Sequence, residues 1–196
     1  MDKRIFPTVA RFCYGKNLPK RAEMRKEVQG SMEKKNQSAP ILITIGLVLL
    51  DQLTKLWALK SLKPIHNTTV IPGVLDLTFV ENRGVAFGLF SGQKWFILIL
   101  TGLIAGALVY FYRTLPQKPS LKPVRLAVLL VLSGAIGNII DRIFRSYVVD
   151  FFEFTFFDWP VFNVADIYVV VGVILLTFLI LFVVKDEDLS REKTGE

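Results

Sequence analysis

Four long runs of apolar residues divide this chain of 196 residues, and few charged side chains interrupt them. The runs cover residues 41–59, 95–112, 124–140 and 163–184. A helix of about 20 apolar residues spans a hydrocarbon core of roughly 30 Å, so each run approaches the length of a transmembrane helix. The fourth run is apolar on all sides, whereas a helix on the surface of a soluble protein keeps a polar face. We therefore predict an all-α polytopic membrane protein with four transmembrane helices.

The segment that joins the first two runs, residues 61–94, is too long for a tight turn. Residues 70–80 combine a Pro-Gly turn with an alternating stretch rich in β-branched residues, which predicts a short strand or hairpin outside the membrane. Residues 84–90 are mostly small and apolar and include two glycines, which favours an interfacial helix that acts as a lid. We expect a small extracytoplasmic β element and this lid beside the four spans.

The charge distribution predicts the orientation of the spans. The chain is 52% hydrophobic, with a mean hydropathy of +0.46 and a net charge of +7. Ten Lys and Arg residues precede the first run, and four with no acid lie in or beside the second link. The third link instead carries four acids and two Arg. Because cytoplasmic loops are rich in Lys and Arg, we expect both termini in the cytoplasm and no nucleic-acid partner.

Composition divides the chain into three parts. Residues 1–40 are basic, so we expect a disordered cytoplasmic extension that contacts anionic lipid headgroups. Residues 41–184 contain the four runs and form the membrane domain, and residues 185–196 are a charged cytoplasmic tail. The single cysteine, Cys13, lies in the extension and can form no internal disulfide.

Charged residues inside the runs are candidates for function, because ionisable groups are unfavourable in a membrane. Asp51 and Lys55 stand four residues apart and share one helix face. They either neutralise each other so that the helix inserts, or face a polar cavity. In the third run, Gly134 and Gly137 allow a neighbouring helix to pack closely.

Two polar clusters lie where the third run ends and the fourth begins. Asn138 and Asp141 are three residues apart on one helix face, and Arg142 follows them. Asn163 and Asp166 repeat this spacing at the start of the fourth run. The clusters are either capped polar helix ends, for which asparagine is well suited, or parts of one polar site at the outer membrane boundary. We favour the single site.

The residue types restrict the chemistry of such a site to carboxylates. His66 is the only histidine and Cys13 the only cysteine, so we expect no zinc site, no His-activated nucleophile and no cofactor. Asp150 lies between the two clusters in the sequence and can pair with Asp166. Two aspartates a few Å apart share a proton, so one can deprotonate water while the other donates to a substrate carbonyl.

Five motifs, in this order and spacing, resemble those of the bacterial lipoprotein signal peptidases, the signal peptidase II family. They are Asp-Gln-Leu-Thr-Lys at 51–55, Asn-Arg-Gly-Val-Ala-Phe-Gly at 82–88, Gly-Ala-Ile-Gly-Asn-Ile-Ile-Asp-Arg at 134–142, Val-Asp-Phe at 149–151 and Phe-Asn-Val-Ala-Asp at 162–166. The resemblance covers residues 41–184. Ser133 stands where the family often has glycine, and Ile167 where serine is common, so we expect altered packing there and retained activity.

The resemblance implies a function and a set of site residues. It implies an aspartic endopeptidase of the bacterial cytoplasmic (inner) membrane that cleaves prolipoproteins just before a cysteine carrying a diacylglyceryl group. Its partners would be these lipid-modified prolipoproteins and membrane lipids, and globomycin would inhibit it. It implies that Asp150 and Asp166 are the catalytic pair, toward the outer face. The residues implied to line the substrate pocket are Asp51, Lys55, Asn82, Asn138, Asp141, Arg142 and Asn163.

Two other functions compete with this interpretation. A small transporter or proton-coupled channel would use Asp51, Asp150 and Asp166 as an ion relay. A relay places carboxylates through the depth of the membrane, whereas most polar motifs here gather toward one side, which favours the enzyme. A non-catalytic assembly factor would tolerate asparagine at positions 150 and 166.

Overall fold

A computed structural model describes residues 21–84, 90 and 92–189, with side chains from residue 38 onward. The chain divides into two units, residues 1–40 and 41–196. Residues 85–89, most of the predicted lid, lie outside the described residues. So do residues 1–20 of the predicted extension and residues 190–196 of the predicted tail.

The first helix, α1, covers Arg21–Trp57 and continues into a π-helical turn at Ala58–Leu62. Residues 21–40 of the predicted extension are therefore helical. The remaining helices are α2 at Lys94–Thr114, α3 at Lys122–Phe144, α4 at Val164–Phe182 and α5 at Asp186–Leu189. A 3-10 turn at Pro119–Leu121 directly precedes α3.

Within the part of the chain that the structure describes, four segments are long and apolar enough to cross a membrane, namely Ser38–Leu62, Lys94–Thr114, Pro119–Phe144 and Val164–Phe182. The predicted four-span architecture is confirmed, and the predicted ends differ from these by about five residues at most. In the third span 61% of the most apolar stretch is buried inside the protein, whereas only 6–17% is buried in each of the other three spans. The third span is therefore the central helix, while the others expose apolar surface, as lipid-facing helices do.

Segments that link the spans form a three-stranded antiparallel sheet with strand order β1-β2-β3. β1 is Asn67–Ile71, β2 is Leu75–Asn82 and β3 is Val148–Phe154. The hairpin of β1 and β2 confirms the predicted β element in the segment between the first two spans. β3 was not predicted, and it is the strand that carries Asp150, which lies opposite Val80 of β2.

Close packing of α3 on α4 depends on glycine. A Cβ atom added to Gly134 would collide with the carbonyl oxygen of Ala165 and lie 2.7 Å from Cγ2 of Val169. A Cβ added to Gly137 would lie 2.5 Å from Oδ2 of Asp51. The predicted small-residue contact between helices is therefore present, and it brings the start of α4 against α3.

A small apolar core joins the sheet to the first span. Ala58 and Leu62 of the π-helical turn pack with Val149 and Phe151 of β3, and all four are buried. The ring of Phe151 also meets Trp57 edge to face, with centroids 6.2 Å apart. Since these contacts flank Asp150 on both sides, they fix the strand that carries it.

Candidate active site

Asn163 links the two candidate catalytic carboxylates. It is the N-cap of α4, where its Oδ1 accepts from the backbone N–H of Asp166 at 3.1 Å. Its own backbone N–H donates to Oδ2 of Asp166, also at 3.1 Å, which completes a capping box. The amide Nδ2 of the same residue donates to Oδ1 of Asp150 at 2.6 Å. Asn163 is thus both a helix cap and a contact of each carboxylate.

Two further asparagines bind the carboxylate oxygens of Asp150 and Asp166 that Asn163 does not contact. Asn82, the last residue of β2, donates through Nδ2 to Oδ2 of Asp150 at 2.8 Å. Asn138 of α3 donates through Nδ2 to Oδ1 of Asp166 at 2.8 Å. Each oxygen of both carboxylates therefore accepts a hydrogen bond from the protein, and these bonds fix where the carboxylates lie.

Asp150 is 1% exposed, and its environment favours the protonated form. Burial raises the pKa of Asp150 to about 7, and the nearby charge of Asp166 acts in the same direction. The hydrogen bonds from Asn82 and Asn163 oppose this rise without cancelling it. Asp150 is therefore a carboxyl group that gains and loses its proton near neutral pH.

Lys55 is fully buried and joins two spans. Its Nζ lies 3.0 Å from Oδ2 of Asp51 on its own helix and 3.2 Å from Oδ2 of Asp141 on α3. It also donates to Oδ1 of Asn138 at 2.8 Å. The predicted pair of Asp51 and Lys55 is present. It does more than neutralise the first span, because Lys55 also binds residues of a second helix.

Asp51 connects the first span to the start of α4. Its Oδ1 accepts from the backbone N–H of Ala165 at 3.0 Å. Asp141 makes a similar connection to the sheet, because its Oδ2 accepts from the backbone N–H of Val149 at 3.1 Å. These two carboxylates therefore tie the residues beside the candidate pair to the first and third spans.

Two members of this cluster were missed from the sequence. Gln52 donates to Oδ2 of Asp51 at 3.1 Å, to Oδ1 of Asp141 at 3.2 Å and to the carbonyl of Gly137 at 3.2 Å. Arg145 pairs with Asp141 and donates to Oε1 of Gln52 at 3.2 Å. Arg145 stands four residues after Asp141, a spacing that predicts an ion pair on one helix face. The contacts of Gln52 across two helices leave no comparable mark in the sequence.

Arg142 extends the cluster to the end of β2. Its Nη2 donates to the carbonyl of Gly84 at 2.8 Å, and its Nη1 donates to the carbonyl of Asn138 at 3.3 Å. Through these bonds the structure brings all nine predicted site residues into one hydrogen-bonded cluster. They are Asp51, Lys55, Asn82, Asn138, Asp141, Arg142, Asp150, Asn163 and Asp166.

Comparison with known proteins gives a consistent assignment. The family model of signal peptidase II matches residues 43–182. The lipoprotein signal peptidase of Clostridium acetobutylicum is 43% identical over 150 residues, which are 75% of this chain and 94% of that protein. The lipoprotein signal peptidase of Streptococcus pyogenes serotype M2 is 42% identical over 148 residues, which are 76% of this chain and 94% of that protein.

Solved structures agree with these sequence matches. Two structures described as bacterial membrane enzymes each superpose with a TM-score of 0.65, at 35% and 36% sequence identity. The first covers 81% of this chain and 94% of its own, and the second covers 75% and 95%.

Proposed function

Because this chain belongs to the signal peptidase II family, we propose that it is an aspartic endopeptidase in which Asp150 and Asp166 activate the attacking water. Its substrates are prolipoproteins that already carry a diacylglyceryl group, and it cuts just before the lipidated cysteine. The observation that carries the proposal is the contact of Asn163 with both carboxylates. The two groups therefore lie together where a transmembrane helix begins.

One proton shared by the two carboxylates supplies both halves of the reaction. The ionised carboxylate takes a proton from water, and the water oxygen attacks the scissile carbonyl carbon. The protonated carboxylate donates to the carbonyl oxygen as the tetrahedral intermediate forms. The carboxyl that took the proton from water then gives it to the leaving nitrogen, and the C–N bond breaks. The other carboxylate takes a proton back from a hydroxyl of the intermediate. The products are a carboxylic acid and an amine, and the pair again shares one proton. The pKa of Asp150, raised to about 7, suits this exchange at neutral pH.

The charges around the pair support a single shared proton. Apart from the pair, the cluster contains three cations and two anions. These groups are Lys55, Arg142, Arg145, Asp51 and Asp141. The cluster is neutral when the pair carries one negative charge, and uncompensated charge is unfavourable in a buried site. Since coupled carboxylates titrate as a unit, the role of base belongs to the pair.

In this proposal the other polar residues of the cluster form and position the substrate pocket. They are Asp51, Lys55, Asn82, Asn138, Asp141, Arg142 and Asn163. The substrate is held in the bilayer by its own signal helix and acyl chains, so it reaches the site sideways between the spans. A site at the start of α4, beside a membrane boundary, suits that path.

The ion-relay alternative requires carboxylates at several depths of the membrane. Within the four described spans the acidic residues are Asp51, Asp141 and Asp166. All three belong to the one cluster around Lys55 and Asn138. This clustering favours an enzyme site over a pathway through the membrane.

We also propose that both termini lie in the cytoplasm and that the site faces the outer side of the cytoplasmic membrane. The membrane domain, residues 41–184, carries the activity, while the basic extension contributes none. Reporter fusions test the orientation. A fusion after Lys118 is expected to report the cytoplasm and one at Asp76 the outer side. The reverse pattern contradicts this orientation.

A cleavage assay tests the proposed substrate. The purified protein in liposomes is given a prolipoprotein with and without its diacylglyceryl group, and the products are identified by mass spectrometry. We expect one cut, just before the cysteine of the lipidated form, and we expect globomycin to block it. Equal cleavage of the unmodified form, or a cut elsewhere, contradicts the proposed specificity.

A further inference from the structure

A turn rich in aromatic residues follows the strand that carries Asp150. This aromatic turn comprises residues 154–159. The ring of Phe157 stacks on Phe154 at 5.6 Å, and it lies 4.6 Å from Phe156 and 5.8 Å from Trp159. Even in this cluster the outer rings are open to the surroundings, with Phe156 61%, Phe157 43% and Trp159 48% exposed. Large apolar side chains gathered in an exposed patch mark a surface that another phase or partner covers.

The turn between β1 and β2 enlarges this patch. The backbone N–H of Thr155 donates to the carbonyl of Val74 at 3.1 Å, so the two turns lie side by side. Ile71 and Val74 are each more than two-fifths exposed. Asp158 is the acidic residue of the aromatic turn, and the turn contains no Lys or Arg. Attraction to a charged partner therefore does not explain the patch.

The chain places the aromatic turn close to a membrane boundary. The hydrogen bonds between Phe152 and Phe162 close the base of the loop that contains the turn. Asn163 then caps α4, whose first residue, Val164, begins a membrane span. Trp159 precedes Val164 by five residues, so it lies within about 18 Å of the span's start even if the chain is fully extended. Aromatic side chains, Trp above all, are enriched at this level of a bilayer.

We propose that the aromatic turn, with Ile71 and Val74, inserts into the lipid interface at the end of the membrane where α4 begins. Its partner is the boundary between headgroups and acyl chains of the lipid. The turn anchors the sheet to the bilayer by burial of apolar side chains and not by ionic attraction.

The anchor is continuous with the strand that bears Asp150. Ring contacts lead from Phe154 to Phe162 at 5.1 Å, from Phe162 to Phe152 at 5.6 Å and from Phe152 to Phe151 at 4.6 Å. Phe151 directly follows Asp150 in the sequence. The depth of the aromatic turn in the lipid therefore sets the height of β3 above the bilayer.

Tryptophan fluorescence tests this insertion in the full chain. The sequence contains Trp57, Trp95 and Trp159, so substitutions Trp57→Phe and Trp95→Phe leave Trp159 as the sole emitter. In liposomes of zwitterionic lipid brominated near the carboxyl end of the acyl chains, Trp159 is expected to lose about half or more of its emission. The loss is expected to be smaller with bromine near the methyl end, and unchanged by high salt.

A second variant distinguishes loss of lipid contact at the aromatic turn from misfolding of the whole protein. Phe156→Asp with Phe157→Asp makes the patch unfavourable in lipid, so quenching of Trp159 by brominated lipid is expected to disappear. A version with Trp95 as the sole emitter, at the start of α2, is expected to be quenched with or without these changes, which reports normal membrane insertion. Trp159 emission that is quenched by aqueous acrylamide and not by brominated lipid overturns the proposal. Emission that neither quencher reaches also overturns it, because a protein then covers the turn.

Discussion

The amide Nδ2 of Asn163 donates a 2.6 Å hydrogen bond to Oδ1 of Asp150. Asp150 belongs to β3, whereas Asn163 caps a transmembrane helix, so this bond joins the sheet to the fourth span. Asn163 also contacts Asp166 through its capping box. Stability of α4 and geometry of the candidate pair therefore depend on the same side chain, and substitutions can separate the two roles.

Asn163→Ser is expected to keep the cap and lose the bridge. Serine is as good an N-cap as asparagine, so the start of α4 stays capped, but it has no amide to reach Asp150, and the buried Oδ1 of Asp150 loses its donor. Turnover should fall by about a hundredfold, because Asp150 is no longer held in place. Asn163→Ala loses the cap as well, at a further cost of about 1 kcal/mol in the free energy of unfolding. Full turnover by the serine variant would show that the bridge does not position Asp150.

The raised pKa of Asp150 predicts how stability changes with pH. The ordinary pKa of this carboxyl is 3.8, and in the folded protein it is about 7. Below 3.8 the group is protonated in both states and has no effect. As pH rises from 3.8 to 7, the unfolded chain loses the proton first, so the folded state loses stability. Above 7 the loss is complete.

Asp150→Asn, which cannot ionise, is therefore expected to be more stable than the parent protein once the pH rises above 3.8. The gain is at most about 4 kcal/mol and should be largest above pH 8 and smallest near pH 4. Thermal unfolding of both proteins in detergent at a series of pH values measures it. A difference in melting temperature that is constant with pH would contradict the raised pKa.

The buried ion pairs of Lys55 predict a large effect of its removal. Lys55→Met leaves Asp51 and Asp141 without their shared cation, so the free energy of unfolding should fall by about 3 to 5 kcal/mol. Lys63→Met is the matched control, since Lys63 pairs with Glu81 on the exposed surface and should scarcely change the melting temperature. Equal effects of the two substitutions would argue against the buried cluster.

Glycine substitutions test the contact between α3 and α4. Gly134→Ala places a methyl group against the backbone of Ala165, so it should destabilise the protein by about 1 to 3 kcal/mol. Gly102→Ala on α2 is the control, because a Cβ there has no atom within 4 Å. It should be neutral or slightly stabilising, since alanine favours helix over glycine. Thermal unfolding in detergent compares the two, and a neutral Gly134→Ala would refute the close packing.

The spans could be predicted from the sequence because hydrocarbon thickness alone sets the length of an apolar helix. β3 could not, because Val-Val-Asp-Phe-Phe does not alternate between apolar and polar residues. Its partner strand also lies about seventy residues earlier, with Val80 opposite Asp150. Pairing between such distant segments is a tertiary choice that local pattern does not record.

Local sequence pattern likewise predicts some contacts of the candidate site and not others. The spacing of Asp51 and Lys55 on one helix predicts their pair. A cap at Asn163 was the alternative to a single polar site, and in the structure Asn163 is a cap and also contacts both carboxylates. That Lys55 reaches Asp141 on another helix, and that Gln52 bridges three groups, depends on how the helices pack.

Turnover and binding of two aspartate variants, measured in parallel, decide whether Asp150 and Asp166 are the catalytic pair. Asp150→Asn and Asp166→Asn keep the shape of the side chain and remove the shared proton. We expect turnover of a diacylglyceryl-modified prolipoprotein in liposomes to fall by about a thousandfold or more, while globomycin binding largely survives. Arg142→Ala, which removes a contact to the backbone of Gly84, should instead weaken binding and leave measurable turnover at saturating substrate. Near-normal turnover by either aspartate variant would show that the substituted residue does not belong to the catalytic pair.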